Sequence, residues 1–159
     1  NNGYKSYLDS LSNIEKEKIA LENRTIDKVA PGEQQPEVDH AIQKENSGTG
    51  NTNGVFFRDA RDNGYFSYEL ATNSESNLSL VVRYWGAEWG NRKFDIYIDN
   101  EKLLTEDNTG RWNQSMFKDV VYTIPDAMLS GKKFVRVKFQ AINGNAAGGV
   151  YGIRLVRNK

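Results

Sequence analysis

The chain has 159 residues with 21 basic and 21 acidic side chains, so its formal net charge is zero and its length predicts a single domain. It lacks the clustered surplus of Lys and Arg that nucleic-acid binding requires, and no apolar run reaches the roughly 20 residues that cross a bilayer. It has no Cys, and His40 is its one histidine, which excludes thiol nucleophiles, disulfides, thiolate metal sites and multi-histidine sites.

The N-terminal part of the chain predicts an amphipathic helix, because its apolar residues recur at spacings of three and four. These residues are Tyr4, Tyr7, Leu8, Leu11 and Ile14. Pro31-Gly32 ends this region, so we predict a helical linker over residues 1–30 and a second domain over residues 31–159. The chain begins with Asn1 rather than Met, which suggests a processed protein or a piece of a longer one.

The next segment predicts irregular structure. Residues 33–46 contain breaks at Pro36 and Asn46 and few apolar side chains, which indicates an ordered but irregular connection. Residues 46–54, Asn-Ser-Gly-Thr-Gly-Asn-Thr-Asn-Gly, are small and polar, which is typical of an exposed loop. We therefore expect regular secondary structure to start at Val55.

From Val55 onward, apolar and polar residues alternate in short segments, which predicts strands with one buried face. The segments are 55–58, 66–70, 78–84, 94–98, 102–105, 120–124, 135–139 and 151–155. Asp99-Asn100 predicts a tight hairpin turn between two of them. About eight short strands separated by turn signals predict an all-β protein, an antiparallel β-sandwich of the jelly-roll type.

Three tryptophans, Trp85, Trp89 and Trp112, fall at predicted strand ends or in loops. A sugar ring offers C–H groups on one face and hydroxyls at its edge, so an exposed indole with polar neighbours can bind it. A single Trp is more often part of the core than of a binding site. For Trp112 we favour the binding role, because no apolar partner lies near it in sequence.

Polar candidates for a binding site lie in two further segments. Arg58 could hold sugar hydroxyls or a carboxylate, although an Arg–Asp network that pins residues 58–64 is the favoured interpretation. Asn143 and Asn145 place amide donors and acceptors at the tip of a glycine-rich loop. His40 follows an Asp, but no nucleophile accompanies it, so a structural histidine bonded to the backbone is favoured.

Several of these segments also resemble a known family, the C-terminal β-sandwich of bacterial β-L-arabinofuranosidase-type glycoside hydrolases of families 127 and 146. The resemblance covers nearly the whole chain, including a helix over residues 15–29. The residues that carry it are Pro31–His40, Arg58–Arg61, Gly64–Tyr68, Tyr84–Gly86, Gly90–Arg92, Phe94–Asp99 and Gln140–Arg154.

This resemblance implies a non-catalytic module of an exported enzyme that degrades plant polysaccharide in Bacteroides-type gut bacteria, located in the periplasm or at the cell surface. The family's catalytic unit is a separate helical barrel with a cysteine nucleophile, and this chain has no Cys. The sandwich is similar to galactose-binding-like carbohydrate-binding modules, in which Trp112 would stack on sugar and Asn145 would bond its hydroxyls. Many such modules hold a structural calcium, for which Glu45 resembles one ligand, although the last strand supplies no acidic partner.

Three hypotheses for function follow. The first is a carbohydrate-binding accessory module whose ligand contacts are Trp112, Trp85, Trp89, Asn143, Asn145 and Arg58. The second is an interaction domain that only packs on its parent glycoside hydrolase catalytic domain, with the N-terminal helix stripe as part of the interface. The third is an independent enzyme, which is disfavoured because no catalytic constellation is evident in the sequence.

Overall fold

The computed structural model describes residues 12–159, so the helix stripe predicted at Tyr4 to Leu11 lies outside the described residues. Two α-helices, nine strands and one 3-10 helix make up the described chain. The elements are α1 (Asn13–Arg24), β1 (Thr25–Val29), α2 (Gln34–Asp39), β2 (Gln43–Thr52), β3 (Val55–Ala71), β4 (Leu78–Trp85), β5 (Lys93–Ile98), β6 (Glu101–Asp107), β7 (Phe117–Thr123), the 3-10 helix (Asp126–Met128), β8 (Phe134–Ala141) and β9 (Ala146–Arg157).

All nine strands join one antiparallel sheet, in the order β6-β5-β8-β3-β9-β4-β7. Strand β1 pairs with β9, and β2 pairs with β3. The sheet doubles over at β3, which bends at Asp62 and Asn63, where φ is +49° and +66°. Before the bend β3 pairs with β9, and after it β3 pairs with β8.

The bend creates two layers with the core between them. The first layer contains β6, β5, β8 and the end of β3, and the second layer contains the start of β3 with β9, β4, β7 and β1. Alternate residues of each strand enter one buried cluster, including Leu78, Leu80, Val82 and Tyr84 of β4. This arrangement confirms the predicted all-β sandwich, since alternation with a period of two places one face of each strand in the core.

Strand β2 corrects the prediction of an exposed loop over residues 46–54. Ser47–Thr52 pairs with Val55–Ala60 as one side of a hairpin, and the turn itself is Asn53-Gly54. Strand β2 is otherwise mostly exposed, so it has little apolar surface to bury and its sequence resembles that of a loop. The segment Arg58-Asp-Ala-Arg-Asp-Asn-Gly64 predicts a tight turn before the strand at 66–70, and this prediction is also wrong, because β3 continues through these residues as a bent strand.

The connection over residues 33–46 contains the short helix α2 rather than irregular structure alone. Pro36 is tolerated there because the first turn of a helix does not use its backbone N–H groups for internal hydrogen bonds. The predicted hairpin turn at Asp99-Asn100 is confirmed: both residues have positive φ, at +48° and +69°, and β5 pairs with β6.

Helix α1 ends at Arg24, and the next residues enter the sandwich as β1. None of its residues is buried. Glu22 anchors it by ion pairs with Arg154 of β9 and with Lys28 of β1. Among residues 12–159, no helix has the length and apolar character needed to cross a membrane.

Candidate functional site

Three loops meet at one end of the sandwich, which we call the loop end. The backbone N–H of Asn108 donates to the carbonyl of Arg92 (3.0 Å), and that of Ala146 donates to the carbonyl of Asn91 (2.9 Å). These bonds bring together the β4–β5 loop (residues 86–92), the β6–β7 loop (residues 108–116) and the β8–β9 loop (residues 142–145). Trp89, Trp112, Asn143 and Asn145 all lie on these loops, so the structure gathers four of the candidates from the sequence.

Trp89 is 83% exposed, and the loop that carries it is fixed. The guanidinium of Arg92 donates to the Trp89 carbonyl (3.1 Å) and to the Gly148 carbonyl (3.1 Å), and it forms an ion pair with Glu88 (3.2 Å). The Glu88 carboxylate also accepts from the backbone N–H of Gly149 (3.1 Å). A large aromatic side chain is thus presented to solvent on a loop held by hydrogen bonds and an ion pair.

Trp112 is half-buried at the same end, packed against the edge of the core. Its ring stacks on Tyr84 with centroids 6.2 Å apart and an angle of 29° between the planes. The guanidinium carbon of Arg111 lies 4.5 Å from the centre of the indole, a cation–π contact. Part of the indole surface is therefore already covered by protein, unlike that of Trp89.

The two asparagines of the β8–β9 loop differ in how they are used. The side-chain oxygen of Asn145 accepts from the backbone N–H of Lys93 (3.0 Å), and its amide nitrogen donates to the Asn143 carbonyl (3.2 Å). Asn145 therefore holds the loop against the start of β5. Asn143 is exposed and supplies a polar side chain at the surface of the loop end.

Arg58 is buried, and its guanidinium is bonded to neighbouring side chains instead of facing a solvent rim. It donates to both carboxylate oxygens of Glu37 (2.6 and 2.9 Å) and to the hydroxyl of Ser47 (3.0 Å). Glu37 also accepts from the Tyr68 hydroxyl (2.6 Å) and the Gly32 backbone N–H (3.0 Å). The favoured Arg–Asp network of the sequence analysis is thus wrong about the partner of Arg58, which is Glu37 of α2.

The pKa of the Glu37 carboxyl reflects this network. Burial acts to raise the pKa, but the hydrogen bonds from Arg58, Gly32 and Tyr68 and the positive charge of Arg58 outweigh it, so the pKa lies below its usual value. Glu37 is therefore ionised at neutral pH and neutralises the buried guanidinium. This arrangement joins α2 to β3 and is structural.

His40 is also structural, as the sequence analysis favoured. One ring nitrogen, Nδ1, bonds the backbone carbonyl of Pro36 (2.8 Å), and the other, Nε2, bonds Asp27 (2.9 Å). The second oxygen of the Asp27 carboxylate accepts from the backbone N–H of Ala71 (2.8 Å). The imidazole and the carboxylate together connect α2, β1 and β3.

The residues expected to bind calcium do not form a ligand set in the described part of the chain. Glu45 is exposed on β2. Within residues 12–159, no three His, Asp or Glu side chains are grouped so that they could hold a metal ion. Calcium generally requires six to eight oxygen ligands, of which Glu45 by itself would supply at most two.

Trp85 belongs to a row of aromatic side chains on the second layer that the sequence analysis missed. Neighbouring ring centroids lie 5.0–5.2 Å apart along the row Phe57–Tyr151–Phe117–Trp85. On β4, Leu80, Val82 and Tyr84 enter the core, so Trp85 lies on the outer face. The register that pairs Trp85 with Phe117 assembles this row, and a single strand read alone does not reveal it.

Residues 20–156 match the family of unknown function DUF6805. The chain belongs to this family. No curated protein sequence matches this DUF6805 chain.

The DUF6805 fold is similar to that of several solved carbohydrate-binding modules. A family 35 module from Clostridium thermocellum has a TM-score of 0.56 and 14% identity, covering 82% of this chain and 98% of that one. The C-terminal family 6 module of LamC from Zobellia galactanivorans has a TM-score of 0.54 and 14% identity. This match covers 82% of this chain and 98% of that one. A family 36 module solved with calcium and xylotriose has a TM-score of 0.53 and 18% identity. This match covers 80% of this chain and 98% of that one. At these identities the likeness establishes a shared fold.

Proposed function

We propose that this DUF6805 chain is a non-catalytic carbohydrate-binding module that binds plant oligosaccharide at its loop end. The observation that carries the proposal is Trp89, an 83% exposed indole on a loop fixed by Arg92 and Glu88. Exposing an indole forgoes the free energy of burying it, and fixing its loop lowers the entropy lost when a ligand binds. Its fold, shared with carbohydrate-binding modules, supports this assignment.

In the proposed complex, the C–H face of a sugar ring stacks on Trp89. Asn143, exposed on the neighbouring loop, bonds the hydroxyls at the edge of the ring. The uncovered part of Trp112 extends the apolar surface, whereas Asn145 positions the loop. Arg58 is buried and takes no part in this complex.

The wider setting of the module rests on the resemblance described above. We propose an accessory domain of an exported glycoside hydrolase of the β-L-arabinofuranosidase type, which keeps its catalytic domain close to arabinose-rich plant glycan. Linking a weak binding module to an enzyme raises the local concentration of substrate without requiring tight binding by the module itself.

Calorimetric titration with arabinose-rich oligosaccharides tests the loop-end site. Trp89→Ala should weaken binding about tenfold or more, because loss of stacking and apolar contact costs about 1.5 kcal/mol. The matched control is Phe134→Ala, since Phe134 is also an exposed aromatic residue (54%) but lies at the start of β8, away from the loop end. Phe134→Ala should bind as tightly as the wild type.

The alternative is a domain that only packs on its parent catalytic domain. That function predicts no heat of binding with any oligosaccharide at millimolar concentration, together with binding to the separately produced catalytic domain. Equal loss of binding in Trp89→Ala and Phe134→Ala would also refute a specific site at the loop end.

A further inference from the structure

A groove runs over the outer face of the second layer, opposite the core. It consists of two adjoining hollows of about 300 and 480 Å³, each within the range of small-molecule sites. The hollows share Val81, Arg83 and Asp119 on their floor. Helix α1 forms one wall, and the segment from β1 to α2 forms another.

The groove is positively charged although the whole chain is neutral. Its lining contains six basic side chains against the two acidic side chains Glu17 and Asp119. The basic residues are Lys18, Arg24, Lys28, Arg83, Arg154 and Lys159. Glu22, which is bonded to Lys28 and Arg154, offsets part of this excess.

Part of this charge has no acidic partner among residues 12–159. Glu22 is bonded to Arg154 and Lys28, and Asp119 is bonded to Arg83. Lys18 and Lys159, by contrast, make no ion pair with any residue in the described range 12–159. Both line the larger hollow, where a carboxylate ligand would gain their charge without displacing an acidic partner from the described part of the chain.

The same hollow offers apolar surface beside the charges. Ile14 is 67% exposed, Val121 59% and Met116 52%, and all three line it together with Phe117. The floor between the hollows is polar, since Arg83 and Asp119 form two parallel hydrogen bonds of 2.8 and 2.9 Å. Cores of protein interfaces are depleted in charged residues, so this mixture of charge and apolar surface fits a hydroxylated anionic ligand better than a protein.

We propose that this groove is a second glycan-binding surface and that its ligand is an acidic oligosaccharide built from hexuronate units. The uronate carboxylates pair with Lys18 and Lys159, and the C–H faces of the rings lie on Phe117 and Val121. Hydroxyl groups bond the polar floor. The proposal rests on the function proposed above and extends it to a second surface and a second ligand class.

Trp85 provides a spectroscopic reporter for this groove, because its ring lies 5.0 Å from that of Phe117. The double variant Trp89→Phe with Trp112→Phe leaves Trp85 as the remaining tryptophan of the three. Titration with trigalacturonic acid should then change the tryptophan fluorescence saturably, and the response should weaken as the salt concentration rises. A neutral arabinose trisaccharide should give no response.

Charge variants made in the double variant locate the ligand. Lys18→Glu combined with Lys159→Glu should weaken trigalacturonate binding at least about tenfold, because two attractions become repulsions. Lys133→Glu is the matched control, since Lys133 is exposed next to β8 in the other layer, and it should leave binding unchanged.

The proposal is overturned if trigalacturonate gives no response, or if polyglutamate of equal charge gives the same response. It is also overturned if binding survives the double charge reversal but is lost in Trp89→Ala, because the ligand would then lie at the loop end. Trigalacturonate binding that persists in Trp89→Ala, together with no binding of neutral oligosaccharide by the wild type, would support the groove while refuting the loop-end site.

Discussion

Glu37 and Arg58 form a buried ion pair whose side chains are each 7% exposed, so each charge depends on the other. We expect Glu37→Gln to lower the free energy of unfolding by about 3–5 kcal/mol, because the guanidinium would remain buried without a counter-charge. Urea denaturation at pH 7 measures this change. Glu33→Gln, on the exposed residue at the start of α2, is the control and should cost less than about 0.5 kcal/mol.

A second variant tests whether the unpaired charge of Arg58 causes the loss of stability in Glu37→Gln. Replacing both members of the pair, as Glu37→Leu with Arg58→Met, removes the uncompensated charge and should recover part of the lost stability. A double variant less stable than Glu37→Gln alone would contradict this account.

The sequence revealed the residues of the candidate site only in part. Trp89 and Trp112 were identifiable as loop residues, but the sequence favoured Trp112 for the binding role, whereas the structure gives the most exposed indole to Trp89. The β6–β7 loop folds back so that Trp112 meets Tyr84, a contact between residues far apart in sequence. Glu37 was likewise invisible as the partner of Arg58, because 21 positions separate them.

Among the secondary-structure elements, helix α1 is attached to the sandwich by the ion pairs of Glu22. It has no buried residue, and the pKa of Glu22 is lowered to about 2 by its hydrogen bonds with Arg154 and Lys28. We expect Glu22→Gln to speed amide hydrogen exchange throughout α1 while lowering the global stability by less than about 1 kcal/mol, since the ion pairs are half-exposed.

Hydrogen-exchange mass spectrometry of α1 peptides measures this effect. Glu15→Gln is the matched control, because Glu15 is an exposed carboxylate of the same helix whose side chain makes no ion pair within residues 12–159. Unchanged exchange in Glu22→Gln would show that contacts other than these ion pairs hold the helix in place.

Predictability also differed between elements for a physical reason. Strands with one buried face were found because core packing imposes a period of two, as in β5 and β8 with their alternating burial. The turn Asp99-Asn100 was found because few residues tolerate positive φ. Strand β2 was missed because its pairing with β3 uses backbone groups, which leave no pattern in the side chains.

At the scale of the whole molecule, titratable side chains that connect different elements make the free energy of unfolding fall at both acidic and basic pH. Glu37 has a lowered pKa, so its contribution is present above the ordinary pKa of 4.5 and is lost as the pH falls through the lower folded-state pKa. Tyr68 and Tyr84 have pKa values raised by burial. Their contributions are complete below the ordinary pKa of 10.0 and are lost above it.

Between the acidic and the basic range, the titration of His40 changes the free energy of unfolding around neutral pH. Burial acts to lower its pKa, but the bonds to Asp27 and the Pro36 carbonyl and the charges of Asp27 and Asp39 raise it above the ordinary 6.5. The folded state therefore holds the proton more tightly than the unfolded chain does. The resulting stabilisation is complete below about pH 6.5 and is lost as the pH rises through the folded-state pKa.

Thermal unfolding monitored by circular dichroism between pH 5.5 and 9 tests this dependence. The wild-type Tm should be highest near pH 6 and fall toward pH 9, because the stabilisation from protonated His40 is lost over this range. His40→Gln should lower the Tm at pH 6 and flatten the curve, because no titrating group would remain between α2 and Asp27. A His40→Gln curve parallel to that of the wild type would assign the pH dependence to other groups.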